Sequence, residues 1–569
     1  MGQQQVLKKA LQTLTLQNRS QVLVVLISLS FGLWFITPHN VWPTSVDWLN
    51  YGDMAFMQHA WQYFRYTPLL QWPITEITAA GDGWGSINPS IAFLGLPLKF
   101  ISPTLPTSFQ YLGLWTLANF GLQGFFAERL FFRLGLREIE RILGAISILI
   151  APAFIFRIRM THLELAAHWL IIAALLVYVS DGNSRVIRKV YSLSLLTLLV
   201  NLYLFVMVFS IALITLAKPL FSDGKDLRKL RTIVLQIAGL TSLSGITFWA
   251  LGYLTYQSSS SGVGFFRLNA LAFFNPGFNP TDSFSSVLDR VPSFTARQFF
   301  AEEGEGFGYL GLVGVIGIMA LIFSIPRWLN RRNLQVFAPL IGVAVFLFAV
   351  ALSDRVAIVR REIQLPIPQV FVDVRQVFRA ATRFSWVAYY LLLVLGWIAI
   401  CKLTRRARIA AIALPLILVL GVVDQWGGVT KSRAKIVEER RQSTFRSVEW
   451  ENVGRSATKM YLVPTFDIQA DDSAPIVEAW LADSRWADLI AFGAEHQLIT
   501  NFTYSARPVT RQVELANAQL SEMLRQRKIP RSSILFFALK SDWLVASKSL
   551  RPGDIAKSLD GYFIIVAKE

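Results

Sequence analysis

The chain almost lacks cysteine. Its single thiol, Cys401, lies at the end of an apolar run, so no internal disulfide can form and nothing in the fold depends on redox compartment. Acidic residues are scarce beside basic ones, 37 against 55, which leaves a formal net charge of +18. The basic residues cluster in short links between apolar runs, which is how orientation is fixed in a membrane and argues against a nucleic-acid partner. Internal repeats are absent, as is low complexity beyond Ser258 to Ser261, so the paired halves of many transporters are missing. What is abundant is apolar surface. Of the 569 residues 53% are hydrophobic and 13% aromatic, mean hydropathy is +0.45, and many runs approach the ~20 residues that cross a bilayer. The composition is that of a polytopic membrane protein.

Lys8, Lys9 and Arg19 precede the apolar run from Val22 to Ile36, and no small-residue cleavage site follows it, so the run reads as a retained first span with a cytoplasmic N-terminus. The chain then emerges outside. Arg129, Arg133, Arg137 and Arg141, then Arg185, Arg188 and Lys189, then Lys225, Arg228, Lys229 and Arg231 all fall inside if Val190 to Leu220 makes two short spans. Arg327, Arg331 and Arg332 also fall inside, as do Lys402, Arg405, Arg406 and Arg408. This gives about eleven spans within residues 1–423, with external loops at 37–107, 257–308 and 353–384. From Asp424 the composition becomes an ordinary polar mixture, which predicts a separate extracytoplasmic domain over 424–569. Lys459 to Pro464, Ser533 to Leu539 and Tyr562 to Ala567 read as strands, and Ala474 to Ala494 and Thr510 to Arg527 as helices. The fold class is an α-helical membrane domain followed by a small α/β domain.

Three external segments carry chemistry. Asp53 closes the polar run Asp47-Trp48-Leu49-Asn50-Tyr51-Gly52-Asp53. From Met54 to Tyr66 there is no helix breaker, and Phe56, Ala60 and Tyr63 fall along one side, predicting an interfacial helix with Asp53 at its N-terminus. A carboxylate there is equally suited to be a plain helix cap. Gly81-Asp82-Gly83-Trp84-Gly85 adds a flexible turn with another acid, and Ile91 to Ile101 is too short to cross, which suits a re-entrant piece. In the second segment, Phe156 to Glu164, a helix starting near Thr161 would put Glu164 and His168 on one face, a spacing able to hold a metal or one end of a proton relay. Arg157 and Arg159 are equally explained as interfacial anchors, and His168 as a packing residue. In the third, a helix through Phe371 to Arg383 would align Arg375, Arg379 and Arg383 as a cationic stripe that violates the inside bias of basic residues. Guanidinium groups there suit a phosphate or pyrophosphate, or anionic headgroups in general. The loop 257–308 is rich in Phe, Gly, Asn and Pro, and Asn269 with its aromatic neighbours suits sugar binding or a packed lid. The acidic cluster Glu302-Glu303-Gly304-Glu305 just before the next span could bind cations or cap a helix, and ranks below Asp53.

An acid near the start of the first external loop, interfacial helices, about eleven spans and a terminal external domain together resemble the GT-C superfamily of polyprenyl-phosphate-dependent glycosyltransferases. The narrower set Asp47 to Asp53 with His59, His162-Leu163-Glu164-Leu165-Ala166-Ala167-His168-Trp169, Phe307-Gly308-Tyr309-Leu310-Gly311 and Arg379-Ala380-Ala381-Thr382-Arg383-Phe384 resembles a bacterial multi-pass family placed near that superfamily, with no activity attached. The superfamily resemblance implies inverting transfer of a sugar from a lipid-phosphate donor to an acceptor outside the membrane. It implies that Asp53 first, and Asp47 second, is the general base. Physically, Arg375, Arg379 and Arg383 would hold the departing phosphate, helped by Arg157 and Arg159. Glu164, His162 and His168 would position either a divalent cation such as Mg or Mn, or the acceptor. Topology and resemblance together put the chain in a bacterial cytoplasmic membrane with the terminal domain in the periplasm.

Rival readings are a flippase for a lipid-linked saccharide, a polysaccharide polymerase or ligase, which needs no acid in the first loop, and a non-catalytic assembly protein. A flippase would carry charged residues near mid-membrane, whereas the informative charges here lie near the outer surface.

Overall fold

A computed structural model describes residues 2–77, 86–87, 91–180, 184–222, 227–254, 266, 268–279, 282–288, 301–328, 331–358, 361–366, 378, 380–404, 407–438, 442–463, 485–501 and 510–569. Contacts divide the chain into two units. The first comprises Met1–Trp42, Tyr111–Ser244 and Gly262–Glu439, and the second Pro43–Gln110, Gly245–Ser261 and Arg440–Glu569.

The first unit is helical. Arg19–Val41, Glu138–Arg159, Leu227–Ala250, Ala381–Leu403 and Arg408–Val437 are long and apolar enough to cross a membrane; the third of these runs on into the second unit. Shorter apolar helices are Trp169–Val179, Leu202–Ala217, Gly311–Ser324 and Val336–Leu352. Small residues let these helices approach, because helices in lipid gain little from apolar burial and depend on close contact. A Cβ on Gly317 would stand 3.0 Å from the Gly396 backbone, and one on Gly396 2.9 Å from Gly317. A Cβ on Gly32 would likewise stand 3.0 Å from Phe120, a residue of the helix Leu112–Arg133.

The stretch Val190 to Leu220 breaks as expected. Helix Ser184–Val200 ends at Asn201, whose extended backbone starts a new helix while its side-chain oxygen accepts from the Tyr203 N–H at 2.9 Å. Val186 and Val190 of the first helix pack with Ala212 and Leu216 of the second, beside Val177 and Leu240.

One local expectation is overturned. No helix begins near Thr161: the short helix Pro152–Arg159 ends, Thr161 takes φ 64°, and the next helix starts only at Trp169 with His168 as its N-cap residue. Glu164 and His168 are therefore not successive turns of one helix. The last long helix, Ala407–Val437, continues through Asp424.

In the second unit, five strands form one sheet: β1 Lys459–Val463, β2 Ile499–Thr500, β3 Ser533–Phe537, β4 Ile555–Leu559 and β5 Tyr562–Ala567. Their order is β4-β5-β3-β1-β2, with β1 parallel to β2 and β3, and β5 antiparallel to β3 and β4. Every residue of β3 is buried, as a central strand covered on both faces requires. Leu535 and Phe537 pack with Leu520 of helix Thr510–Arg525, while Phe536 on the other face stacks on Trp450. All three strands expected from the sequence are present, and the described half of the expected helix Ala474 to Ala494 is Arg485–Glu495.

The expected first-loop helix is Gly52–Phe64, and it is enclosed rather than laid open. Gln58 and Trp61 donate to the Phe109 carbonyl, each at 3.2 Å, and the Tyr63 hydroxyl donates to the Leu498 carbonyl at 3.3 Å. Arg65 just beyond it is buried and donates to the carbonyls of Pro106, Thr107, Ser102 and Leu105. Ile91 to Ile101 contains the ten-residue helix Ala92–Ile101, short of a span as expected.

Candidate functional site

In the first unit, three chain segments bring four ionisable side chains to one point. The positive φ of Thr161 folds the chain back, so that the His162 N–H donates to the Arg157 carbonyl at 3.1 Å and the two side chains meet. The segment Ala301–Gly306 supplies Glu305, and its tight passage depends on Gly306, where a Cβ would stand 2.7 Å from Leu268. The short helix Ala381–Ser385 supplies Arg383 at the head of a spanning helix.

One oxygen of Glu305 receives both arginines. Arg157 Nη1 lies 2.7 Å from Oε2, and Arg383 Nε and Nη2 lie 3.0 and 2.8 Å from the same atom. Arg157 Nη2 donates to the Gly304 carbonyl at 3.0 Å, fixing the guanidinium plane. Arg157 Nη1 is also 3.3 Å from His162 Nδ1. A guanidinium only donates, so this contact makes Nδ1 the acceptor and puts the ring hydrogen of a neutral His162 on Nε2, which faces Glu305 Oε1 at 3.9 Å. The Arg157 side chain is fully buried and those of Glu305, Arg383 and His162 are 11–13% exposed. Aromatic faces close the cluster, with Trp386 5.4 Å from the Arg157 guanidinium and Tyr203 4.6 Å from that of Arg383. Burial alone would raise the Glu305 carboxyl, but Arg383, His162 and Arg157 hold it well below the usual carboxylate range. The arrangement is a buried ion-pair cluster in which one carboxylate oxygen of Glu305 is held from two sides by guanidinium groups.

The remaining candidates stand as follows. Arg375 and Arg379 lie outside the described residues, and Arg383 sits on a 3-10 turn rather than on the expected continuous helix. Arg159 has its guanidinium 6.0 Å from the Phe284 ring. Glu164 is half-buried in the turn before Trp169. His168 is fully buried; Gln123 donates to the Tyr390 hydroxyl at 3.1 Å, and that hydroxyl is hydrogen-bonded to His168 Nδ1 at 2.7 Å. Asn269 is buried, and its side-chain oxygen accepts the Leu271 N–H at 3.1 Å, a loop-shaping role. Among the described residues no group of three or more His, Cys, Asp or Glu could hold a metal ion.

In the second unit, Asp53 lies half-buried in the first turn of Gly52–Phe64, one residue inside the N-terminus, and the capping position itself is Tyr51. Asp47 opens the short helix Asp47–Leu49. His59 is buried, and burial lowers it to about 4, so it is neutral at neutral pH.

Two acids matter more than the sequence suggested. Glu305 stood only as one of a run of acids, although glycines on both sides hinted at a close passage. Asp424 marked a change in composition, yet in the structure its carboxylate accepts from Ser285 Oγ at 2.6 Å, the Val287 N–H at 2.9 Å and Tyr309 Oη at 3.1 Å, pinning the 283–288 segment to the last long helix. A lone acid at the end of an apolar run was its signal.

Residues 25–426 match the family model described as "Domain of unknown function (DUF6311)", and residues 449–567 match the one described as "DUF6311 C-terminal domain". No curated protein matches the chain. Among solved structures it is similar to the oligosaccharyltransferase of Archaeoglobus fulgidus in its apo form, at 13% identity and a TM-score of 0.44, over 84% of this chain and 64% of that one. The chain thus spans under two thirds of that protein's length.

Proposed function

This chain belongs to the DUF6311 family, and from that premise we propose that it is a membrane glycosyltransferase that moves a sugar from a polyprenyl-phosphate donor to an acceptor outside the cytoplasm. The observation that carries the reading is the convergence of Arg157 and Arg383 on one buried anionic oxygen. A donor phosphate presents the same kind of ligand: small, anionic, and able to accept several N–H groups at once. The resemblance of the first external loop to the GT-C superfamily supplies the acid.

In this reading Asp53 takes the proton of the acceptor hydroxyl as its oxygen attacks the anomeric carbon. The new carbon–oxygen bond forms on the face opposite the phosphate, the bond to the phosphate oxygen breaks, and the lipid phosphate leaves with the electron pair. Inversion follows. Arg157 and Arg383 stabilise the charge that grows on the phosphate, so no separate acid is needed for the leaving group. Arg375 and Arg379 extend the cationic grip, and the terminal domain receives the acceptor. The arrangement of about eleven spans in a bacterial cytoplasmic membrane, N-terminus inside, belongs to the same proposal.

The test compares surface and lipid-linked glycans in cells carrying wild type, Asp53→Asn or Arg383→Lys at matched protein levels. The reading expects both variants to lose one glycan modification and to accumulate its lipid-phosphate donor. Wild-type glycans in both, beside a clear defect on deletion, would refute it.

A further inference from the structure

In the second unit, the ten-residue helix Ala92–Ile101 is turned inside out. Its one charged residue, Lys99, is buried together with Ala92 and Gly95, while Phe93, Pro97 and Phe100, four and then three positions apart on a separate face, are exposed. Phe100 keeps 68% of its surface. The Lys99 ammonium is held inside, donating to Thr67 Oγ1 at 2.7 Å and to the Pro68 carbonyl at 2.8 Å, 4.2 Å from the centre of the Phe64 ring. A helix on a water-facing surface exposes its charge and buries its phenylalanines; this one does the reverse.

Residues 66–75, which receive that lysine, behave alike. None of them is charged, and Leu69, Leu70 and Trp72 are exposed, Leu70 at 97%. The segment is also fastened to the end of an apolar helix. The Ile74 N–H donates at 3.2 Å to the carbonyl of Ala250, the last residue of Leu227–Ala250, and Thr75 Oγ1 donates to the Leu251 carbonyl at 2.7 Å. The rings of Trp72 and Trp249, each about half exposed, lie 4.0 Å apart. Leu227–Ala250 is long and apolar enough to cross a bilayer, so its end marks the level of the headgroups. Tryptophan suits that level, having an apolar body and one N–H for water or a headgroup.

We infer that helix Ala92–Ile101 and the turn at Leu69–Trp72 form an in-plane membrane anchor, with Leu70, Phe93 and Phe100 set among lipid acyl chains at the surface where Leu227–Ala250 ends. An uncharged segment tied to the end of a membrane-crossing helix has lipid as its neighbour, which favours the bilayer over a water-soluble partner. The anchor is in turn bolted to the helix that carries Asp53. Arg65, next after Gly52–Phe64, donates to the carbonyls of Ser102, Leu105, Pro106 and Thr107, and Ser102 Oγ donates back to the Arg65 carbonyl at 3.0 Å. The depth of the anchor therefore sets the height of Asp53 relative to the lipid, whatever chemistry Asp53 performs. The proposal stands or falls independently of the glycosyltransferase reading.

The test measures depth with nitroxide labels on the full chain in phosphatidylcholine vesicles. Cys401→Ala removes the one native thiol. Leu70→Cys, Phe93→Cys and Phe100→Cys are then made singly, beside two references at exposed positions: Leu235→Cys within Leu227–Ala250 for lipid and Lys528→Cys in the terminal sheet domain for water. Each label is relaxed either by oxygen, which concentrates in acyl chains, or by a water-soluble nickel chelate. The three anchor labels should favour oxygen, at depths of about 5–10 Å below the phosphates and so shallower than Leu235. A preference for nickel equal to that at Lys528 would overturn the proposal, because the face would then stand in water. Weak relaxation by both reagents would overturn it too, showing the face covered by protein, either a second copy or another segment of the chain.

Discussion

Glu305 ties three cationic or ionisable partners together, so its removal leaves buried charge uncompensated. Glu305→Gln should lower the stability of the purified protein by about 3 kcal/mol or more, measured as a fall in the thermal unfolding midpoint. Polyprenyl phosphate should restore more stability to that variant than to wild type, because the anion then takes the place of the missing carboxylate. Acid acts on two residues in separate windows. His59 is lowered in the fold to about 4, so its contribution is complete above the unfolded value near 6.5 and is lost as pH falls from there to 4, about 3 kcal/mol in all. Glu305 is also lowered, so its contribution persists above the ordinary carboxylate range and disappears only as pH drops below it. Stability measured from pH 7 to 3 should fall in two stages, and His59→Gln should flatten the first. At this scale the sequence was partly legible. Arg157, His162 and Arg383 were visible as charges at a membrane surface, but their common partner was not, since 148 residues separate Arg157 from Glu305 and no local pattern pairs them.

Helices and strands followed their patterns wherever the pattern was local. The break at Asn201 could be anticipated because the apolar stretch is too long for one span, and the central strands from their continuous apolar runs. Strand β4 was missed, since its residues alternate weakly and none is buried. Its signal was the Asp560-Gly561 turn, where φ values of 47° and 80° match the hairpin that this pair favours. Asp560 also accepts the N–H groups of Arg446 and Ser447, each at 2.7 Å, and Trp450 Nε1 at 2.9 Å. Asp560→Ala should therefore destabilise the terminal sheet by about 1 kcal/mol or more, read from amide exchange in β4 and β5. In the membrane unit, the mutual approach of Gly317 and Gly396 leaves no space for side chains. Gly396→Leu should force the two helices apart and lower the unfolding midpoint, at a cost of about 1–3 kcal/mol, whereas Gly342→Ala, with nothing near its missing Cβ, should be tolerated.

For the molecule as a whole, the sequence placed a boundary by composition, whereas contacts join the first external loop to the terminal sheet domain in one unit. The tie runs through Tyr63 and Leu498, 435 positions apart, which no periodicity could show. Helix Gly52–Phe64 and helix Arg485–Glu495 should consequently open together, with matching free energies in native-state hydrogen exchange, and residues 440–569 expressed alone should exchange faster than in the full chain. The central claim concerns chemistry at the membrane, and one experiment addresses it directly. Purified wild-type protein and Asp53→Asn are placed in lipid vesicles with polyprenyl-phosphate sugars extracted from cells that lack the protein. The account predicts that wild type, given acceptor glycan, consumes one donor and releases free polyprenyl phosphate, and that Asp53→Asn does not. Movement of the intact donor across the bilayer without its consumption would contradict the account and make the protein a transporter.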